Sequence, residues 1–158
     1  MSSSDNDRDP SLYEWAGGYE KLEQLMRVFV AKIRVDEELQ RHFAKLPDDH
    51  APHLAMWFSE VLGGPNLYSD FVGSFRRMQS MHRGRNITEN ERRRWISLFQ
   101  DSCDEVGLPA DAEFRAALDG YLSWGSRRAK ENSQKGSVRR ERTTIPRWGW
   151  GESPPGLE

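Results

Sequence analysis

The residues in this chain best able to do chemistry are its histidines, of which there are four among 158 residues. Two of them sit on apolar stripes. His82 follows Phe71, Phe75 and Met78 at the spacing i, i+4, i+7, i+11, which is one face of a helix. His50 opens a second stripe that continues through Leu54, Trp57, Phe58, Val61 and Leu62. A lone imidazole on an apolar face is more often a core residue satisfied by backbone groups than a ligand. Two helices that each bring one imidazole to the same interior alter that balance. His42 and His53 read as surface residues, Met81 as packing, and Cys103 as an inert buried thiol.

The usual multi-ligand metal sites do not fit. A structural zinc site needs several closely spaced Cys and His ligands, and there is a single cysteine. The sequence contains no H-E-x-x-H, no glycine-rich phosphate loop ending in lysine and no G-x-S-x-G. A carboxylate di-iron bundle needs Glu-x-x-His pairs on inward faces, and His53 lacks a glutamate at that spacing. What remains is a flat, apolar group whose metal needs one strong axial nitrogen. A porphyrin meets that description. Its binding free energy comes mostly from buried apolar area, at roughly 25 cal/mol per Å², and its iron takes a neutral imidazole on one face. The opposite face must stay open for a gas ligand, and N–H donors there would select among ligands. Trp95, on the next helix, is such a donor.

These side chains require an all-α frame. Ser11 to Trp15 reads as a short helix stopped by Gly17-Gly18. Tyr19 to Arg34 is amphipathic, with Leu22, Leu25, Met26, Phe29, Val30 and Ile33 on one face. Asp36 caps a short helix ending near Phe43. The His50 helix follows Asp48-Asp49 and is stopped by Gly63-Gly64-Pro65. Asn66 to Asp70 reads as a polar connector carrying Tyr68, and Phe71 to His82 as one helix. Arg83-Gly84-Arg85-Asn86 breaks the pattern. Thr88-Glu89-Asn90-Glu91 then has the form of a capping box for a helix running to about Val106 with Trp95, Leu98, Phe99 and Ser102 inward. Asp111 caps a last helix ending near Ala129. No alternating strand pattern and no internal repeat is visible.

In their order and spacing these features resemble the truncated haemoglobins, and within them the second group. The markers are Gly17-Gly18, Phe29, Phe43 after VDEELQRH, Gly63-Gly64-Pro65 with Leu67-Tyr68-Ser69, His82 five residues before Ile87, and Glu91-Arg92-Arg93-Arg94-Trp95. The tryptophan matching Trp95 points to the second group. The resemblance implies a two-over-two helical sandwich around haem b (iron protoporphyrin IX), with His82 as the proximal iron ligand. Trp95 would donate a hydrogen bond to the bound gas. His50 would face the ligand or the iron itself, with Leu54 covering it. Phe43 would pack on the haem, with Phe29, Met78 and Trp57 as further contacts and Tyr68 and Arg77 near the propionates. Val30 stands where many relatives carry tyrosine, and Arg83-Gly84-Arg85-Asn86 replaces the usual Pro-Phe, so hydroxyl donors are lost from the pocket.

The function expected is reversible binding of O2, NO or CO, or gas-linked redox chemistry of the NO dioxygenase or peroxidase type with a reductase as second partner. Residues 1–10 read as a disordered leader, 11–130 as the globin domain, and 131–158 as a mobile tail rich in basic residues, Pro and Gly. The tail supplies the competing reading, a cofactor-free helical adaptor binding a partner or nucleic acid, while its Trp148 and Trp150 offer the alternative of folding back over the domain. A formal charge of −2 gives no global attraction to nucleic acid or membrane. The polar start of the chain is unlike a signal peptide, and the expected setting is cytoplasmic, as monomer or homodimer.

Overall fold

Local signals in the sequence set most of the helix ends. The computed structural model describes residues 8–136 and 144–151, and these contain helices and no strand. Ser11 caps α1 (Leu12–Ala16) by accepting from the Glu14 amide at 3.0 Å. Gly17, with φ of 109°, ends α1 and leads into α2 (Gly18–Val35). The left-handed region that this turn uses is open to glycine at little cost. Next come α3 (Gln40–Phe43) and α4 (His50–Val61), then α5 (Leu67–Phe71) and α6 (Phe75–Ser80). Both halves of the capping box form at Thr88, where α7 (Glu89–Glu105) begins. Asp111 caps α8 (Ala112–Ser133) through the Phe114 amide at 3.0 Å.

Two helix pairs carry the interior: α2 lies on α4, α7 lies on α8, and α2 also meets α7. The inward face of α2 is buried as its spacing predicts, from Leu22 to Ile33. Around it gather Ala55, Phe58, Val61, Phe99, Phe114 and Leu118. This is the expected all-α arrangement.

Three elements differ from the sequence reading. The Phe71–His82 helix is broken. Phe71 closes α5 and is 74 % exposed, and the expected polar connector is α5 itself. Ser74 takes an extended conformation and caps α6 through the Arg77 amide at 3.2 Å. Serine competes well at a cap, and that competition overrides the helical spacing of the apolar residues. His82 therefore lies just beyond α6, in a turn.

The last helix runs to Ser133 rather than Ala129. Part of the expected mobile tail is packed. The Trp148 amide donates to the Val61 carbonyl at 2.7 Å, and its indole lies against Tyr121 and Trp124 with centroids 5.6 and 5.7 Å away. Trp150 Nε1 donates to the Pro10 carbonyl at 2.7 Å, and its ring meets Trp15 edge-on at 5.9 Å. The rest of the expected leader and tail, residues 1–7, 137–143 and 152–158, falls outside the described residues. Among those described, no helix is long and apolar enough to cross a membrane.

Trp148 is 7 % exposed, so Trp148→Ala should lower unfolding stability by about 3 kcal/mol, as for other buried tryptophans. A chemical denaturation curve checks this; an unchanged midpoint would show that the segment adds nothing to the fold.

Candidate functional site

Helices α3, α4, α6, α7 and α8, with the C-terminal segment at Pro146, border one cavity of about 170 Å³. The helix α4 supplies His50, Leu54 and Trp57. Helix α6 and the turn after it supply Phe75, Met78 and His82. The corner at α3 supplies His42 and Phe43, and α7 supplies Trp95. A second cavity of about 580 Å³ shares His42, His50, Leu54, Met78 and Met81 with the first. Its remaining walls are more polar and include Arg41, Lys45, Tyr68, Arg77 and Arg85. One end of the crevice is thus aromatic and the other basic. Cofactor sites of roughly 300–1,000 Å³ are typical, and the second cavity alone lies in that range.

The aromatic end is held by ring contacts. Trp57 stacks on Phe75 at 5.8 Å and meets Tyr68 edge-on at 5.1 Å. Trp57 Nε1 donates to the Tyr121 hydroxyl at 2.8 Å, and burial raises that phenol. Trp95 packs edge-on against Phe29 at 5.2 Å and tilted on Phe99 at 5.6 Å. Such pairs add about 0.5–1.5 kcal/mol each beyond area burial and fix ring planes.

His50 and His82 border the same cavity, and both imidazoles are held neutral. Burial lowers His50 to about 4, helped by the positive charge of Arg34 and by His53. Burial lowers His82 to about 4 as well, helped by Arg85, while a hydrogen bond to the Met78 backbone works in the opposite sense. A neutral imidazole has a free lone pair, which a metal needs, and a carbonyl on its other nitrogen fixes the tautomer. Among the described residues no three His, Cys, Asp or Glu side chains converge as a bare ion site. A metal bound here would have to bring most of its ligands with it, as in a macrocycle.

Several expected contacts stand elsewhere. Phe29 and Val30 line neither cavity; both are buried behind the wall, and Phe29 reaches the site only through Trp95. Tyr68 and Arg77 border only the polar cavity. Tyr68 is fully buried, and Arg77 Nη1 donates to the Val72 carbonyl at 2.9 Å. Cys103 lines neither cavity, and burial pushes its thiol up to about 12, so it is inert as read.

His42 is the residue that the sequence reading misplaced. Its side chain is 5 % exposed, it borders both cavities, and Nε2 lies 3.1 Å from Glu91 Oε2. That nitrogen is off line for a hydrogen bond and is otherwise unpartnered. Glu91 also takes Arg41 Nε at 2.6 Å and Nη2 at 2.8 Å, and accepts from the Thr88 amide at 2.9 Å. Burial alone would raise the Glu91 carboxyl; Arg41, Thr88 and His42 outweigh it and hold it at about 2. Only the capping-box spacing of Thr88 and Glu91 signals any part of this cluster in the sequence.

This crevice between two packed helix pairs is that of a globin. The bacterial-like globin family matches residues 11–118, and the chain belongs to it. Its members bind haem and, through haem, small gases. The chain is 29 % identical over 110 residues to the group 2 truncated hemoglobin YjbI of Bacillus subtilis, covering 70 % of this chain and 81 % of that protein. Over 102 residues it is 26 % identical to the group 1 truncated hemoglobin GlbN of Mycolicibacterium paratuberculosis, covering 64 % and 71 %. The X-ray structure of the truncated oxygen-avid haemoglobin of Bacillus subtilis aligns with a TM-score of 0.66 at 28 % identity, covering 76 % of this chain and 98 % of that one. The group II truncated hemoglobin of Bacillus anthracis shares the fold with a TM-score of 0.71, at 20 % identity over 84 % of this chain and 100 % of that one. The resemblance read from the sequence, to truncated haemoglobins of the second group, holds.

Two imidazoles kept neutral by folding make the haem-free protein sensitive to mild acid. The unfolded chain protonates them near their ordinary 6.5, the folded one near 4, so between these values the unfolded state binds more protons and stability falls as pH falls. Denaturation midpoints should drop between pH 6.5 and 4, and His50→Gln should flatten that slope. An equally steep slope in the variant means that His50 is already charged in the fold.

Proposed function

We propose that this chain binds haem b in the crevice between α4 and α6, with His82 as the axial ligand, and takes a diatomic gas on the other face. The observation that carries this reading is that His50 and His82 border one aromatic cavity with both rings neutral. Haem, when bound, would supply an iron able to take an imidazole and a small gas such as O2, NO or CO.

The chain's own residues then divide the work. The His82 lone pair holds the iron, and the Met78 backbone on its other nitrogen keeps the ring in the ligating tautomer. Phe43, Leu54, Trp57, Phe75 and Met78 exclude water and supply apolar contact. Arg77 and Arg85, at the basic end, are suited to the carboxylates that a porphyrin carries. Trp95 and His50 supply N–H groups for a gas that draws electron density from the metal. No acceptor for the Trp95 indole N–H occurs among the described residues, so that donor is free for a ligand. The same donors would favour charge build-up in NO dioxygenation or peroxide turnover, with a reductase returning the iron to the ferrous state. The lone cysteine fits a reducing compartment such as the cytoplasm.

Titrating the apoprotein with hemin should give a one-to-one complex with an intense band near the blue edge of the visible spectrum. His82→Gly should lose the axial signature and regain it with added imidazole. Apoprotein that leaves the hemin spectrum unaltered would falsify the reading, and unaltered spectra for His82→Gly alone would move the ligand elsewhere. His50→Ala should shift the ferric and ferrous spectra. Trp95→Leu should release O2 on the order of tenfold faster, as expected for losing one hydrogen bond to a partly charged acceptor; stopped-flow dissociation reads this directly.

A further inference from the structure

His82 is not anchored by a helix. The helix α6 stops at Ser80, and the chain passes His82 in a turn with Gly84 at φ of 76° and Asn86 at φ of 49°. Where the imidazole sits therefore depends on what holds residues 81–86. At its far end the turn is tied to α8, through the Asn86 amide on the Ser133 carbonyl at 2.9 Å and the Ile87 amide on Ser133 Oγ at 3.0 Å. Arg85 ties it beside His82, and Arg41 ties it at the Asn86 end. Arg85 Nε donates to the Met81 carbonyl at 2.6 Å and Nη1 to the His42 carbonyl at 3.2 Å. Arg41 Nη2 donates to the Asn86 carbonyl at 3.1 Å while its other face grips Glu91 with two bonds.

Glu91 is itself immobile. It is the third residue of the capping box that starts α7, and its side chain is 9 % exposed. Trp95 follows one turn later on the same helix. The Arg41 side chain is 53 % exposed, and exposed ion pairs contribute little to stability. The value of a two-pronged guanidinium–carboxylate pair at this place is geometric, because the planar fork allows one orientation. One chain of bonds thus runs from the start of the Trp95 helix, through Glu91 and Arg41, to the backbone of the turn that carries His82.

We propose that Arg41 and Glu91 are positioning residues for the His82 imidazole: they fix its orientation toward the metal in place of the helix that the sequence interrupts. This rests on the reading of His82 as the axial ligand. Loss of the Arg41 bridge removes the ties on the Arg85 and Asn86 carbonyls and leaves that end of the turn held only by the bonds to Ser133, so the His82 imidazole samples a wider range of orientations. Partners that orient a ligating histidine are typically worth roughly 10–100-fold in metal affinity.

The test is the iron–imidazole stretching band of the ferrous, haem-loaded protein, read by resonance Raman, with haem loss to an excess of acceptor apoprotein as a second readout. Arg41→Gln leaves the capping box intact, Glu91→Gln weakens it, and Arg93→Gln removes an exposed partner of Glu89 as control. Circular dichroism of each variant follows the fold separately. The expected result is a shifted, broadened band and about tenfold faster haem loss in Arg41→Gln and Glu91→Gln, with Arg93→Gln like the parent. A band unmoved in Arg41→Gln overturns the proposal, and so does a shift confined to Glu91→Gln, which would place the effect in the cap alone. A band that persists unchanged in His82→Gly is the failure of the His82 reading, and is told apart because Arg41 and Glu91 are intact in that variant.

Discussion

Two imidazoles can share one apolar crevice only as neutral rings, and much of the site follows from that constraint. Charging either ring there would cost the desolvation of an ion with no carboxylate close enough to offset it. Asp49 acts on His50 but is outweighed by burial, and Glu91, which also borders the cavity, is already taken by Arg41 and the start of α7. His50 and His82 are therefore left with free lone pairs in a space lined by aromatic rings. Such rings do not compete for a metal, and the one polar pair among them, Trp57 and Tyr121, satisfies itself. The same burial that makes the histidines useful also makes the fold dependent on a pH at which they stay neutral.

The aromatic rings form a continuous scaffold rather than separate contacts. Phe29, on α2, touches Trp95 and Phe99, both on α7; Phe99 touches Phe58 on α4; and Phe58 meets Tyr121 on α8 edge-on at 5.5 Å. Each of the four long helices contributes a ring, so the position of Trp95 at the cavity is set by all of them. Close packing of this kind transmits small displacements. Val30 falls within this core and not at the cavity surface.

How much of this could be read from the sequence depended on the range of the interaction. The helix α2 and the start of α7 were legible because their determinants lie within a few residues: a 3.6-residue apolar period in one, the Thr88–Glu91 reciprocal bonds in the other. The meeting of His50 with His82 was legible because both lie in otherwise apolar stripes. The break between α5 and α6 was not, since Phe71, Phe75, Met78 and His82 satisfy a helical period while Ser74 quietly supplies a cap. His42 was misread as exposed because its neighbour Glu91 is distant in sequence and no local pattern records the pair. The end of the chain reads as polar and proline-rich, and the contacts of Trp148 with Tyr121 and Val61 appear only in three dimensions.

The match to the bacterial-like globin family ends at residue 118, yet Trp124, Arg128 and Pro146 still border the aromatic cavity. A gene fragment trimmed to the shared stretch would remove one wall of that cavity along with most of α8. In this protein the heritable unit of the globin and the physical unit of its binding space have different edges. Changes in what enters the cavity can thus arise at residues outside the matched stretch, without touching the frame inside it.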